Sequence, residues 1–188
     1  FEGIDPATAR TIRELLASTS TTEGILALVW SLGKTGDPAA IELLIELAKR
    51  PESTIRAAVA GATGKLKGGA PVPILRPLLV DTDERVRAAA VNATAALSAA
   101  ELVPLLFPML EDPDRFVRNR VALALGRIGG PAAAEHLLGE AGRAIEPSFL
   151  AAALLAGGTE PGLTRALGIL KDSATKRRLE GLLRRESG

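Results

Sequence analysis

The chain of 188 residues contains no cysteine and no tyrosine, and only one tryptophan, one histidine and one methionine. Without cysteine there is no disulfide, no thiol nucleophile and no thiolate metal site. The single histidine, His136, lacks the partners that a metal centre or a general base needs. It falls in a column with Leu43, Ile74 and Leu105, and is expected to be a partly buried helix residue. Aromatic residues make up 3% of the chain, too few for the strands of a sheet and too few to stack nucleic-acid bases, so nucleic-acid binding is not expected. No run of about 18 apolar residues is present, which predicts no membrane-spanning helix. Nor is one sign of charge in excess. The 23 basic and 22 acidic side chains leave a net charge of +1, and no field that gathers nucleic acid or anionic lipid. Gly33-Lys34 and Gly64-Lys65 lack the spacing of a phosphate-binding loop. With no signal-peptide pattern at its start, the chain is expected in the cytoplasm. It opens at Phe1 rather than Met, as expected of a processed product or of a piece of something larger.

What the chain does have is small aliphatic residues and a period. Apolar residues reach 47%, mostly Ala, Leu, Val and Ile, which suit closely packed helices. Gly33, Gly64, Gly126 and Gly157 fall on a spacing of 31 residues, with Ala95 in the remaining slot. Other columns keep the same step: Ile55, Val86, Val117; Arg56, Arg87, Arg118; the acids Glu52, Asp83, Asp114; and the apolar set Leu28, Val59, Ala90, Val121, Ala152. Leu44, Leu75, Leu106 and Leu137 form one more, three residues after Ile41, Val72, Val103 and Ala134. A repeat of this length marks a solenoid, whose units are too small to bury their own apolar faces and must stack on their neighbours.

Each unit reads as helix, turn, helix. The first helix opens at an acidic cap, as in Asp112-Pro113-Asp114, and carries Val117, Val121, Leu125 and Ile128 at helical spacing. Gly129, Gly130 and Pro131 then break it. The second helix shows the spacing of Ile41, Leu44 and Leu47. One repeat domain over 1–188 is expected, with a capping helix at 5–17, repeats at about 20–50, 51–81, 82–112, 113–143 and 144–174, and a C-terminal capping helix at about 174–185. The fifth repeat departs most, with Phe149 in the Arg column and Ile145 in the acidic one.

The run Asp112-Pro113-Asp114-Arg115-Phe116-Val117-Arg118, followed by Ala122-Leu123-Ala124-Leu125-Gly126-Arg127-Ile128-Gly129, resembles a HEAT-like repeat of the short bacterial type, also called the PBS-lyase HEAT-like repeat. The resemblance covers roughly residues 20–172. It implies an all-α fold, an α-α superhelix: a right-handed solenoid of about five helical hairpins with terminal capping helices, whose second helices line a concave binding face. It also implies a non-enzymatic scaffold that binds another protein, with no cofactor. The alternatives are a phycobilin-lyase-like chromophore-binding module and a regulatory HEAT domain excised from a larger protein.

The Arg column is expected to form a ladder of ion pairs with Glu52, Asp83 and Asp114 rather than a phosphate-binding stripe, because the acids keep the same period. The basic segment with Lys176, Arg177, Arg178, Arg184 and Arg185 reads as a solvated cap. In the second helices Pro73 and Pro104 fit an opening turn, whereas Pro77 and Pro108 should weaken or kink the helices that contain them. Glu42, Glu46 and Glu135 share their columns, and Arg76 and Phe107 flank them, all away from the Leu44-type core. On the geometry the resemblance implies, the candidate residues for docking a peptide or helix of a partner are therefore Glu42, Glu46, Pro73, Arg76, Pro77, Pro104, Phe107, Pro108 and Glu135. The same residues can also be read as the mere edge of the core. No catalytic or metal-binding residue is assigned.

Overall fold

The computed structural model describes residues 21–35, 38–66, 71–139 and 145–169, together with Thr11, Glu14, Leu15, Ser18 and Thr19. The capping helices expected at 5–17 and 174–185 lie outside the described residues, except for Thr11, Glu14 and Leu15, which are helical; so does the basic segment from Lys176 to Arg185. Every regular element among the described residues is a helix. The chain divides into two compact units, residues 1–102 and 103–188.

The first unit holds α1 (Thr22–Thr35), α2 (Pro38–Leu47), α3 (Ser53–Thr63), α4 (Val72–Leu78), α5 (Glu84–Ala96) and a 3-10 turn at Ala100–Leu102. Helix α1 packs on α3, and α3 on α5, while α2 packs on α4. First helices thus stack on first helices and second on second. The columns explain why: Ile55 and Val59 of α3, Val86 and Ala90 of α5, and Leu44 and Leu75 of the second helices are all fully buried. The glycine column has a steric cause. A Cβ at Gly33 would stand 2.8 Å from the Ala62 Cα, and one at Gly64 would stand 3.0 Å from the Ala93 Cα. The period therefore marks where successive first helices touch backbone to backbone.

The second unit holds α6 (Val103–Leu106), a 3-10 helix at Pro108–Glu111, α7 (Arg115–Ile128), α8 (Gly130–Leu138), α9 (Pro147–Gly157) and α10 (Glu160–Ile169). Helix α7 packs on α9, and α8 on α10. Leu106, Val117, Val121, Leu125 and Leu137 form its core. The last first helix is out of step. The buried set Val121, Ala122, Ala124, Leu125 recurs as Leu150, Ala151, Ala153, Leu154, a step of 29 residues. Ala152, which the 31-residue column places inside, is exposed. Gly126 faces the backbone of Ala153, not of Leu155. The chain leading into α9 is two residues short of the period, so Gly157 lies beyond the contact that the other glycines make.

The prolines act as expected. Helix α4 passes through Pro77 and ends one residue later at Leu78. Helix α6 stops at Leu106, and the chain tightens into the 3-10 helix that Pro108 opens. Proline has no N–H to donate and its ring crowds the carbonyl four residues back, so both second helices are short.

The Arg column does something other than the expected pairing. Arg56 donates from Nε to Asp81 Oδ2 at 2.7 Å and from Nη2 to Oδ1 at 2.8 Å, and its Nη1 donates to the carbonyls of Arg50 and Pro51. Arg87 Nη1 clasps the carbonyls of Asp81 and Thr82 in the same way, and Arg118 Nη1 those of Asp112 and Pro113. Each arginine thus ties down the turn before its own helix. Two of the three periodic acids cap helices instead. Asp83 Oδ1 accepts from the Arg85 N–H, and Asp114 Oδ1 from those of Phe116 and Val117, satisfying donors that the first turn leaves free. Glu52 makes no cap bond and pairs with Arg50 at 3.3 Å.

Candidate partner-binding surfaces

In the first unit, the stripe Leu43, Leu44, Leu47 of α2 faces the core, which leaves Glu42 and Glu46 exposed. In α4, Ile74, Leu75 and Leu78 are buried, so Pro73, Arg76 and Pro77 face outward. Helical periodicity separates the two sets, and the packing of α2 on α4 leaves both outward sets uncovered in this unit. In the second unit, Pro104, Pro108 and Glu135 are exposed and Phe107 is half-buried.

Phe107 meets a partner that column arithmetic did not offer. Its ring lies 4.3 Å from the ring of His136, centroid to centroid, at an interplanar angle of 35°. His136 is exposed rather than partly buried, because α8 turns its Leu137 and Ala133 to the core and leaves the intervening residue outside. His136 Nδ1 lies 3.1 Å from the Ala132 carbonyl oxygen, a hydrogen bond in the tautomer that has its proton there. Leu138 beside it is 37% exposed. An aromatic pair and an apolar neighbour on the surface are typical of contact patches, where rigid rings offer area at little entropic cost.

The electrostatics of the first unit centre on the clasp rather than on these faces. Hydrogen bonds from Arg56 hold the Asp81 carboxyl below the usual carboxylate range, against the opposing effect of burial. A hydrogen bond from Ser53 lowers Asp83 in the same sense, and Asp81 in turn raises Arg56. Arg56 is thereby committed to Asp81 and to two backbone carbonyls. Among the described residues no group of three or more His, Asp or Glu side chains is placed to hold a metal ion, and no helix is long and apolar enough to cross a membrane.

Compared with known proteins, the chain matches the family model of HEAT repeats twice, over residues 9–94 and 72–156. No curated protein matches it.

Proposed function

The chain belongs to the HEAT-repeat family, whose repeats generally mediate protein–protein interaction, and on that premise we propose that it is a non-enzymatic scaffold docking a peptide or helix of a partner protein on the exposed side of its second helices. In the first unit the contact residues are Glu42, Glu46, Pro73, Arg76 and Pro77. In the second they are Pro104, Phe107, Pro108 and Glu135.

The observation that supports this reading best is the Phe107–His136 ring pair, left accessible on a helix pair whose apolar stripe is already satisfied by Leu106 and Leu137. The prolines add to it. Pro73, Pro77, Pro104 and Pro108 stand exposed, and at Pro77 the helix forgoes a backbone hydrogen bond without gaining a core contact. Within each unit, prolines and rigid rings keep a fixed shape and lose little side-chain freedom when they are covered. Arg76 supplies the donor fork that suits a carboxylate or carbonyl of the partner.

The test is affinity capture from the source cell with the wild type and with the Arg76→Ala/Phe107→Ala variant, quantified by mass spectrometry. Both substitutions lie off the core, so the variant is expected to fold. Proteins retained by the wild type and lost by the variant are the expected result; identical captured sets contradict the reading.

A further inference from the structure

The one tryptophan of the chain stands on the opposite kind of helix. Trp30 is 54% exposed on first helix α1, and its ring adjoins other apolar lining residues rather than standing alone; contiguous apolar surface of this kind marks contact sites. It walls a groove of about 310 Å³ between α1 and α3, lined by Leu26, Val29, Ala58, Gly61, Ala62 and Lys65. At Gly61 the groove is open: a Cβ there would meet nothing within 4 Å. A glycine in the interior of a helix costs about 0.5–1 kcal/mol relative to alanine, and here it adds no helix-to-helix contact in return.

Among the described residues that line the groove or flank Trp30, the charge has one sign. The Lys34 ammonium lies 3.5 Å from the centroid of the Trp30 ring, and Lys65 forms part of the lining. Among the described residues, neither the lining nor α3 contains a carboxylate; the only acid of α1 is Glu23, in its first turn. Arg56 of α3 is already held by Asp81. An occupant must bring an apolar side chain to the Trp30 wall and carboxylates to the two ammonium groups.

We infer that the α1–α3 groove is a second docking site, which takes a large apolar side chain of an acidic segment of a partner protein. It uses first helices only, and stands or falls separately from the second-helix surface.

Trp30 supplies its own reporter, because the chain has no second tryptophan and no tyrosine. The full chain is titrated at about 0.15 M salt, where exposed charges beyond about 8 Å are screened. The probe is a short capped helical peptide with Leu and Phe on one stripe and Glu elsewhere; the control has Lys in place of every Glu. The Glu peptide is expected to move Trp30 emission to the blue and to bind about ten-fold more tightly than the Lys peptide. The Lys34→Glu/Lys65→Glu variant reverses that preference. Gly61→Phe fills the groove and abolishes the response, with the helical circular dichroism and the thermal midpoint retained. No emission change with the Glu peptide, equal binding of the two peptides, or undiminished binding by Gly61→Phe overturns the inference. Self-association of the chain that Gly61→Phe removes would assign the groove to a second copy, and overturns it too.

Discussion

Arg56 holds Asp81, 25 residues further along the chain, through two parallel hydrogen bonds, with only 14% and 9% of the two side chains exposed. The same guanidinium clasps the carbonyls of Arg50 and Pro51. One side chain thus fixes the turn that enters α3 and ties it to the turn that enters α5. Asp81→Asn keeps the size of the side chain and removes its charge. It is expected to cost about 2 kcal/mol, the scale of hydrogen bonds to charged groups. Arg56→Lys is not expected to substitute, because an ammonium cannot form the two-pronged contact and the clasp together. Urea unfolding at pH 7 measures both.

The pH dependence of that loss has a definite sign. The Asp81 carboxyl titrates lower in the folded chain than in the unfolded one. Its stabilisation is therefore complete above the unfolded value of about 4 and disappears as pH falls through the lower folded value. Wild type and Asp81→Asn should differ most at neutral pH and converge under acid. A difference that grows on acidification would mean that the carboxyl is not held by Arg56.

Two glycines of first helices should respond to alanine in opposite directions. At Gly126 a Cβ runs into the backbone of Ala153, which cannot swing aside, and overpacking of this kind costs about 1–3 kcal/mol. At Gly61 the space is open, and alanine gains about 0.5–1 kcal/mol of helix propensity. Thermal unfolding of Gly126→Ala and Gly61→Ala should move the midpoint down and up respectively.

The sequence made the helices and their buried stripes legible, because Leu44, Leu75, Leu106 and Leu137 obey one spacing and all four are buried. It showed the glycine period but not its cause, since backbone contact between helices leaves no mark on composition. The step of 29 into α9 was hidden by Gly157, which falls on the 31-residue grid by position while Ala153 makes the contact. The partner of Arg56 was missed because the guanidinium reaches across to the next turn; Asp83 and Asp114 of the acidic column are spent on caps. For the candidate surfaces, exposure could be read from periodicity. The Phe107–His136 stack and the Trp30 groove could not, because each needs side chains from separate segments brought together by packing.

Thr63 and Thr94 occupy the same column and are both fully buried. Thr94 Oγ1 donates to the Ala90 carbonyl at 2.8 Å, whereas Thr63 Oγ1 has no hydrogen-bond partner. Valine at 63 removes an unpaired buried hydroxyl and should stabilise by about 1 kcal/mol in urea unfolding. Valine at 94 discards a made bond and should not.

The most direct measurement of the docking claim is hydrogen–deuterium exchange of the chain with and without a captured partner. Slowed exchange is expected in peptides covering 42–46, 73–77, 104–108 and the α8 segment around Glu135. Protection confined to the first helices, or none in those four segments when the partner is bound, would contradict it.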